Sequence, residues 1–337
     1  MREVFPMAAR CPRPRILNAE PEGYSGKAHA LLAELGDVME GPLSRDALCE
    51  ALADIDILIV RLAHQIDREL LAAGRQLKII VSATTGLDHI DLAAAADRHI
   101  AVLSLRGEAD FLRNITATAE LTWALLLALM RRVPEALASV RDGEWNRDAF
   151  RGRDLSGRRL GIIGLGRVGR QVAEFASAFR MTVAAYDPHV TSWPAAVHRK
   201  ASMAALLRET DVLSVHVNLH PGTIGLIGRQ ELALLPRGSV LINTSRGDVV
   251  DADALVEALD SGHLSGAALD VVPFERDHER RRASPLFAYA AARSNLLITP
   301  HIAGATVEAM HKTEEFMAHK LLDFYRLAAA ASPLSAS

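Results

Sequence analysis

The chain has 337 residues, half of them hydrophobic, and a formal net charge of −3. This length predicts two compact domains with sizeable cores. The near-neutral charge gives no overall field that would favour nucleic acid or an anionic membrane surface. Two cysteines, Cys11 and Cys49, indicate neither a disulfide framework nor a metal site. The composition therefore favours a globular protein and gives no sign of a nucleic-acid or membrane partner.

No segment of the sequence has the pattern of a membrane span or an export signal. The longest apolar run, Leu121 to Met130, is too short to cross a bilayer. The N-terminus carries charges but lacks an apolar signal core. We therefore expect a soluble, cytoplasmic protein with no membrane partner, and a disordered extension over residues 1–13.

The first third of the chain alternates short apolar strands with Ala- and Leu-rich helices. The predicted strands are Arg15 to Ala19, Ile55 to Val60, Leu77 to Val81 and Ile100 to Leu103. The predicted helices are Gly26 to Leu35, Arg45 to Ala53, Arg68 to Ala73 and Leu92 to Arg98. The alternation predicts a small doubly wound α/β unit without a glycine fingerprint. A longer helix is predicted from Thr118 to Val133, where Pro134 disturbs it.

A glycine-rich loop opens the second unit. The apolar strand Leu160 to Ile163 is followed by Gly164, Gly166 and Gly169 in the spacing G-x-G-x-x-G, and then by a helix-period segment. Strand, glycines and helix together form the context of a dinucleotide fingerprint, in which the helix N-terminus meets a pyrophosphate. A second predicted strand ends in Asp187, eighteen residues after Gly169. An acid at about this spacing reaches the adenosine ribose and repels a 2′-phosphate, so NAD is favoured over NADP.

Polar segments follow the later strands of this second unit. The predicted strands are Val212 to Val217, Val240 to Asn243, Ala267 to Asp270 and Leu296 to Thr299. Three of them lead into segments that contain Arg246, Glu275 and His301. Open α/β sheets bind ligands at the carboxyl ends of their strands. The sequence therefore predicts that an arginine, a glutamate and a histidine converge at one edge of the sheet.

These segments resemble the NAD-dependent D-isomer-specific 2-hydroxyacid dehydrogenases, including their phosphoglycerate dehydrogenase branch. The matching stretches are Ser82–Leu92, Ala117–Leu121, Gly143–Trp145, Asp154–Gly157, Thr244–Gly247, Gly266–Asp270 and Thr299–His301. The chain departs from the family pattern at Arg276, where proline is usual, and in a longer, basic segment from Arg276 to Ser284. Leu121 and Asn218 also stand where other residues are common.

The resemblance implies two doubly wound parallel-sheet domains. A flavodoxin-like substrate domain would comprise residues 1–106 and 303–337. A Rossmann NAD-binding domain would comprise residues 107–302, inserted between the two parts of the first. The family generally forms homodimers through the nucleotide-binding domain, and a homodimer is expected here. Trp123 and Trp145 are expected to be packing residues.

The resemblance also implies a role for each polar residue at the strand ends. Arg246 would bind the substrate carboxylate, His301 would act as acid and base, and Glu275 would hold the imidazolium. These roles suit a guanidinium fork, a titrating imidazole and a neighbouring carboxylate. Glu275 is chosen over Asp277 and Glu279 because it lies five residues after Asp270, as in the family.

Further residues are assigned to the cofactor and the substrate by the same resemblance. The cofactor-binding set is Gly164, Gly166, Arg167, Val168, Gly169, Asp187, His216, Asn218, Thr223, Thr244, Ser245, Asp270 and Gly304. The substrate-binding set is Arg61, Thr85 and Gly86. No metal ligand is assigned.

Two alternatives to a 2-hydroxyacid dehydrogenase remain open. The first is an NAD(H)-responsive binding or regulatory protein on the same fold, since fold does not settle function. The presence of Arg246, Glu275 and His301 favours turnover over sensing. The second is phosphite-type oxidation, which would use a similar set of residues.

Overall fold

The chain divides into two units. Unit 1 comprises Met1–Gly107 and Met310–Ser337, and unit 2 comprises Glu108–Ala309. The computed structural model describes residues 13–41 and 43–331, with side chains as far as residue 327. The predicted disordered extension therefore lies outside the described residues except for Arg13, whose guanidinium donates a hydrogen bond to the Gly36 carbonyl (3.0 Å).

Unit 1 is built on a parallel sheet covered by helices. The sheet runs in the order β2-β1-β3-β4-β5 within the described residues. Its strands are β1 Arg15–Asn18, β2 Asp37–Glu40, β3 Ile57–Val60, β4 Ile79–Ser82 and β5 Ala101–Ser104. The helices of the first segment are α1 Gly26–Leu35, α2 Arg45–Ala51, α3 Arg68–Ala73 and α4 Leu92–Asp97. Every residue of β3 and β4 is buried, as expected of strands covered on both faces.

Unit 2 contains the larger parallel sheet, in the order β12-β11-β10-β9-β6-β7-β8 within the described residues. Its strands are β6 Arg159–Ile163, β7 Thr182–Tyr186, β8 Val197–Arg199, β9 Val212–Val215, β10 Ser239–Asn243, β11 Leu264–Leu269 and β12 Leu296–Ile298. Its helices are α5 Ala109–Leu112, α6 Ala117–Met130, α7 Val133–Arg141, α8 Arg167–Ala176, α9 Met203–Leu207, α10 Arg229–Leu234, α11 Ala252–Asp260, α12 His278–Ala283 and α13 Pro285–Ala292. A last helix, α14 Val307–Ala331, begins in unit 2 and belongs to unit 1 from Met310 onward. The two parallel α/β sheets confirm the predicted fold class.

The predicted long helix from Thr118 to Val133 is α6, which ends three residues earlier than expected, and a second helix, α7, begins at Val133. The first, α6, ends at Met130, and Arg132 then takes a left-handed conformation with φ of 53°. Pro134 lies in the first turn of α7. Proline suits that position because its missing N–H has no intrahelical partner there in any case. Pro134 therefore belongs to the start of a new helix, which the sequence pattern did not predict.

The register of unit 2 aligns the carboxyl ends of three neighbouring strands. Asn243 of β10 pairs with Leu269 of β11, and Leu269 pairs with Ile298 of β12. The loops that leave these strands therefore start side by side at one edge of the sheet. Among the described residues, none of the helices combines the length and the apolar character that crossing a bilayer requires.

Candidate active site

The glycine loop between β6 and α8 combines tight packing with one open position. Gly164 has φ of 90°, and a Cβ there would lie 2.4 Å from the His216 carbonyl oxygen. A Cβ at Gly169 would lie 2.1 Å from the Gly164 carbonyl oxygen. A Cβ at Gly166, the N-cap of α8, would meet no heavy atom within 4 Å. The protein's own packing therefore leaves space at this helix N-terminus, which fits the pyrophosphate of a dinucleotide.

Asp187 at the end of β7 is fixed beside the glycine loop. One carboxylate oxygen accepts from the Leu165 backbone N–H and the other from the His189 backbone N–H, both at 2.8 Å. These bonds orient the carboxylate and place its charge next to the loop. This arrangement fits recognition of ribose hydroxyls and opposes a ribose 2′-phosphate.

Arg167 and Val168 direct their side chains into the packing of unit 2. The Arg167 guanidinium donates to the Ile115 carbonyl (2.7 Å), and burial lowers the pKa of Arg167. Val168 packs against the core that contains Leu165 and Val172. For these two residues, the prediction of a pyrophosphate contact therefore concerns their backbone N–H groups and not their side chains.

The segment after β9 carries His216, Asn218 and Thr223. His216 Nε2 is 2.7 Å from Ser214 Oγ, and burial lowers the pKa of His216 to about 3, so the ring is neutral. The Thr223 hydroxyl donates to the Asn218 carbonyl (2.7 Å). Asn218 itself is exposed. The structure brings these three predicted residues onto one loop at the edge of the sheet.

The loop that carries Arg246 is organised by Asn243, the last residue of β10. Asn243 is 1% exposed, and its Oδ1 accepts from the Ser245 N–H (3.0 Å) and hydroxyl (2.7 Å). Its Nδ2 donates to the Arg246 carbonyl (2.9 Å). The Thr244 hydroxyl lies 2.8 Å from that of Thr122. Hydrogen bonds from the Asn243 side chain and from the Thr244 hydroxyl therefore fix the backbone around the half-buried Arg246.

Gly247 brings this loop against the segment that leads to Glu275. A Cβ at Gly247 would lie 2.0 Å from the Val272 carbonyl carbon and 2.4 Å from the Pro273 nitrogen. Only glycine allows the two backbones to pass this closely. The loops after β10 and β11 are thus in direct contact.

Asp270 shapes the turn that carries His301. Its carboxylate accepts from the Thr299 hydroxyl (2.6 Å) and from the N–H groups of Ile302 (2.9 Å) and Ala303 (2.8 Å). The His301 N–H donates to the Asp270 carbonyl (2.8 Å). Burial raises the pKa of Asp270, and these hydrogen bonds oppose that effect. The turn holds His301 in a left-handed conformation, with φ of 54°.

His301 and Glu275 form a close pair. His301 Nδ1 lies 2.6 Å from Glu275 Oε2, and the two side chains are 22% and 25% exposed. Asp277, one of the two rival acids, instead caps α12 by accepting from the Arg280 N–H (3.0 Å). The pair fixes the imidazole through Nδ1, which is how a carboxylate orients an acid–base histidine.

The predicted substrate residues of unit 1 follow β3 and β4. The Arg61 guanidinium donates to the Glu22 carbonyl (3.0 Å) and lies 3.4 Å from Glu314 Oε1. The Glu20 carboxylate accepts from the Arg61 N–H (2.8 Å). Glu314 is buried, and its burial raises its pKa. Arg61 is therefore tied to acids of its own unit.

Thr85 and Gly86 lie on the loop after β4. Thr85 is exposed, and the Gly86 carbonyl accepts from the Thr84 hydroxyl (2.8 Å). Gly304, predicted to lie near the cofactor, is exposed in unit 2. Sequence reasoning did not assign Asn243, Glu20 or Glu314. A polar residue ending the apolar strand β10 was the signal that could have pointed to Asn243.

Comparison with known proteins agrees with this architecture. A family model for the NAD binding domain of D-isomer specific 2-hydroxyacid dehydrogenases matches residues 123–303. The D-3-phosphoglycerate dehydrogenase of Methanocaldococcus jannaschii is 35% identical over 295 residues, 86% of this chain and 54% of its own. The hydroxypyruvate reductase of Thermotoga maritima is 35% identical over 278 residues, 82% of this chain and 87% of its own. The D-lactate dehydrogenase of Aquifex aeolicus, complexed with NAD and lactic acid, has a TM-score of 0.79 at 27% identity, covering 94% of this chain and 96% of that one.

The chain spans about half the length of the phosphoglycerate dehydrogenases that it matches. The hydroxypyruvate reductase, in contrast, is matched over most of its length. The glycine loop, Asp187 and the space at Gly166 fit the NAD-binding domain identified by the family model. The chain belongs to the D-isomer specific 2-hydroxyacid dehydrogenase family, and its cofactor is NAD.

Proposed function

We propose that the protein is an NAD-dependent D-2-hydroxyacid dehydrogenase that interconverts a small 2-oxo acid and its D-2-hydroxy acid. The observation that carries the proposal is the His301–Glu275 pair, with Nδ1 and Oε2 2.6 Å apart. The pair lies on loops that follow β11 and β12, and the Arg246 loop follows the neighbouring strand β10. An acid–base pair and a carboxylate-binding cation are the groups that this reaction needs.

Each of the three side chains has a distinct task in the proposed reaction. Bound NADH supplies the hydride that reduces the 2-oxo carbon. Arg246 binds the substrate carboxylate with its planar guanidinium and polarises the 2-oxo group. His301 donates a proton from Nε2 to the ketone oxygen, because Nδ1 is held by Glu275, and takes the hydroxyl proton in the reverse direction. Glu275 orients the ring and stabilises the imidazolium.

Unit 2 would hold the cofactor and, through Arg246 and His301, the reacting part of the substrate. The backbone of the glycine loop and Asp187 would bind the pyrophosphate and ribose, and Thr244 and Asp270 would lie near the nicotinamide. In unit 1, the loops at Arg61 and at Thr85–Gly86 would contact the acid. Support comes from their placement, since both loops leave the carboxyl ends of adjacent strands, β3 and β4.

We also infer a cytoplasmic homodimer that assembles through unit 2. Val133, Leu137 and Val140 are exposed at helical spacing along one face of α7. Trp145 is 89% exposed, in contrast to its expected packing role, whereas Trp123 is buried as predicted. An apolar face of this kind is typical of a subunit interface. Sedimentation of Leu137→Asp, expected to be monomeric, tests this assignment. Support for an intracellular location comes from the NAD-binding domain, because NAD(H) is an intracellular cofactor.

The function is tested by following NADH oxidation with a panel of 2-oxo acids. The panel comprises glyoxylate, hydroxypyruvate, phosphohydroxypyruvate, pyruvate and bulkier branched or aromatic acids, each repeated with NADPH. Turnover of any of them should be lost in Arg246→Ala, and His301→Ala should lower kcat roughly 10²–10⁴-fold. Near-normal turnover in His301→Ala would contradict the mechanism. Tight NADH binding without turnover of any acid would favour a binding protein or phosphite oxidation instead.

A further inference from the structure

A short basic helix, α12, begins three residues after Glu275 in the chain. It joins the Glu275 turn to α13, whose Leu286 is 1% exposed in the core of unit 2. The Ser284 hydroxyl caps α13 by accepting from the Leu286 N–H (3.4 Å). The far end of α12 is therefore anchored to the body of the unit.

Two arginines of α12 reach back to the turn that precedes the helix. Arg281 Nη1 donates to the Glu275 carbonyl oxygen. The Arg280 guanidinium lies over the Phe274 ring, with Cζ 3.6 Å from the ring centroid. A cation in this position is attracted to the face of the aromatic ring. Phe274 and Glu275 are thus each contacted by an arginine of α12.

The turn at Phe274 needs such support because its backbone is unfavourable. Phe274 has φ of 61°, a left-handed conformation that residues other than glycine rarely adopt, and its side chain is 41% exposed. Residues held in such conformations persist only where the surrounding structure imposes them. The Phe274 carbonyl accepts from the Asp277 N–H (3.0 Å), which closes the turn locally. Arg280 and Arg281 add contacts from outside it.

We propose that Arg281 is a positioning residue for His301 that acts through Glu275. The inference rests on the function proposed above. The guanidinium fixes the main chain of Glu275, and this keeps the carboxylate 2.6 Å from His301 Nδ1. A displacement of about 1 Å would take the pair beyond the roughly 3.2 Å at which such hydrogen bonds end. Arg280 braces the same turn from the Phe274 side.

The test compares two substitutions that remove the same charge from the same helix. Arg281→Gln loses the bond to the Glu275 carbonyl, whereas Arg282→Gln, at an exposed neighbour, leaves it in place. We expect Arg281→Gln to lower kcat about tenfold, less than the roughly 10²–10⁴-fold of losing the acid–base group itself. KM should change less than about twofold, because the Arg246 carbonyl is held by Asn243 and not by α12. Arg281→Lys keeps a donor and should recover most of the loss.

A second readout does not depend on turnover. The Nδ1 proton that His301 shares with Glu275 should give a strongly downfield NMR resonance, assigned by its absence in His301→Gln. Arg281→Gln should shift or broaden this signal, and Arg282→Gln should preserve it. The proposal is overturned if the two variants lower kcat equally, or if the resonance is unchanged in Arg281→Gln. If the unmodified protein turns over none of the acids, the proposed function fails while the resonance still decides the positioning role.

Discussion

The neutral imidazole of His216 should make unit 2 sensitive to acid. Burial lowers the pKa of His216 to about 3, from an ordinary value of 6.5. The unfolded chain therefore binds a proton between these two values that the folded unit does not bind. Stability contributed by this residue is present above pH 6.5 and is lost as the pH falls toward 3.

The size of the effect follows from the two pKa values. Between pH 7 and pH 5 the unfolded imidazole becomes protonated while the folded one stays neutral. Each pH unit below 6.5 lowers the free energy of unfolding by about 1.4 kcal/mol. At pH 5 the loss from this group alone should therefore be about 2 kcal/mol. A loss of this size is a considerable fraction of the stability of an ordinary domain.

Urea unfolding followed by tryptophan fluorescence measures this loss selectively, because Trp123, Trp145 and Trp193 all lie in unit 2. The measured quantity is the stability difference between the unmodified protein and His216→Gln. That difference should shrink by about 2 kcal/mol between pH 7 and pH 5, since other titrating groups cancel. His198→Gln, at an exposed position of β8, is the control and should show no such change. A His216→Gln difference that stays constant with pH would refute the reasoning.

Two further predictions concern the glycine loop and the arginine loop. The Cβ of Gly166→Ala would meet no protein atom within 4 Å, so the thermal unfolding midpoint should stay nearly unchanged. The same Cβ would occupy the space that fits the pyrophosphate, so NADH binding should weaken about tenfold, or about 1.4 kcal/mol. Gly164→Ala, whose Cβ would strike the His216 carbonyl at φ of 90°, should cost roughly 1–3 kcal/mol of stability; equal stability of the two variants would contradict this. Asn243→Asp replaces the donor to the Arg246 carbonyl by an acceptor, so KM for the acid should rise about tenfold, consistent with roughly 1–3 kcal/mol for an unpaired buried group. An unchanged KM in steady-state kinetics would remove Asn243 from substrate binding.

The central strands could be predicted because their apolar runs are buried on both faces. Leu160 to Ile163, for example, lies within β6, where it had been predicted. The edge strands β2 and β8 were missed. Residues Asp37–Glu40 are mostly exposed, only two of the four are apolar, and they form a strand only through pairing with β1. Such a strand depends on a distant neighbour, which local composition does not record.

The candidate site shows the same division between what local sequence predicts and what distant contacts decide. The motifs placed Arg246, Glu275 and His301 on loops at strand ends, and the structure brings those loops to one edge. Several of the bonds that hold the loops were not predictable, because they join residues far apart in sequence. Arg61 meets Glu314 across 253 positions, and Asp270 binds the backbone of Ala303.

Arg246, Glu275 and His301 all belong to unit 2, on loops that leave three strands neighbouring in one sheet. The relative positions of these three residues are therefore set together, because they depend on the register of β10, β11 and β12. The loops of unit 1 at Arg61 and Thr85 can change without rebuilding that arrangement. Under the proposed function, in which the unit 1 loops contact the acid, a lineage could alter which acid is accepted while retaining its reaction chemistry. Selectivity and chemistry would then diverge at separate rates within one chain.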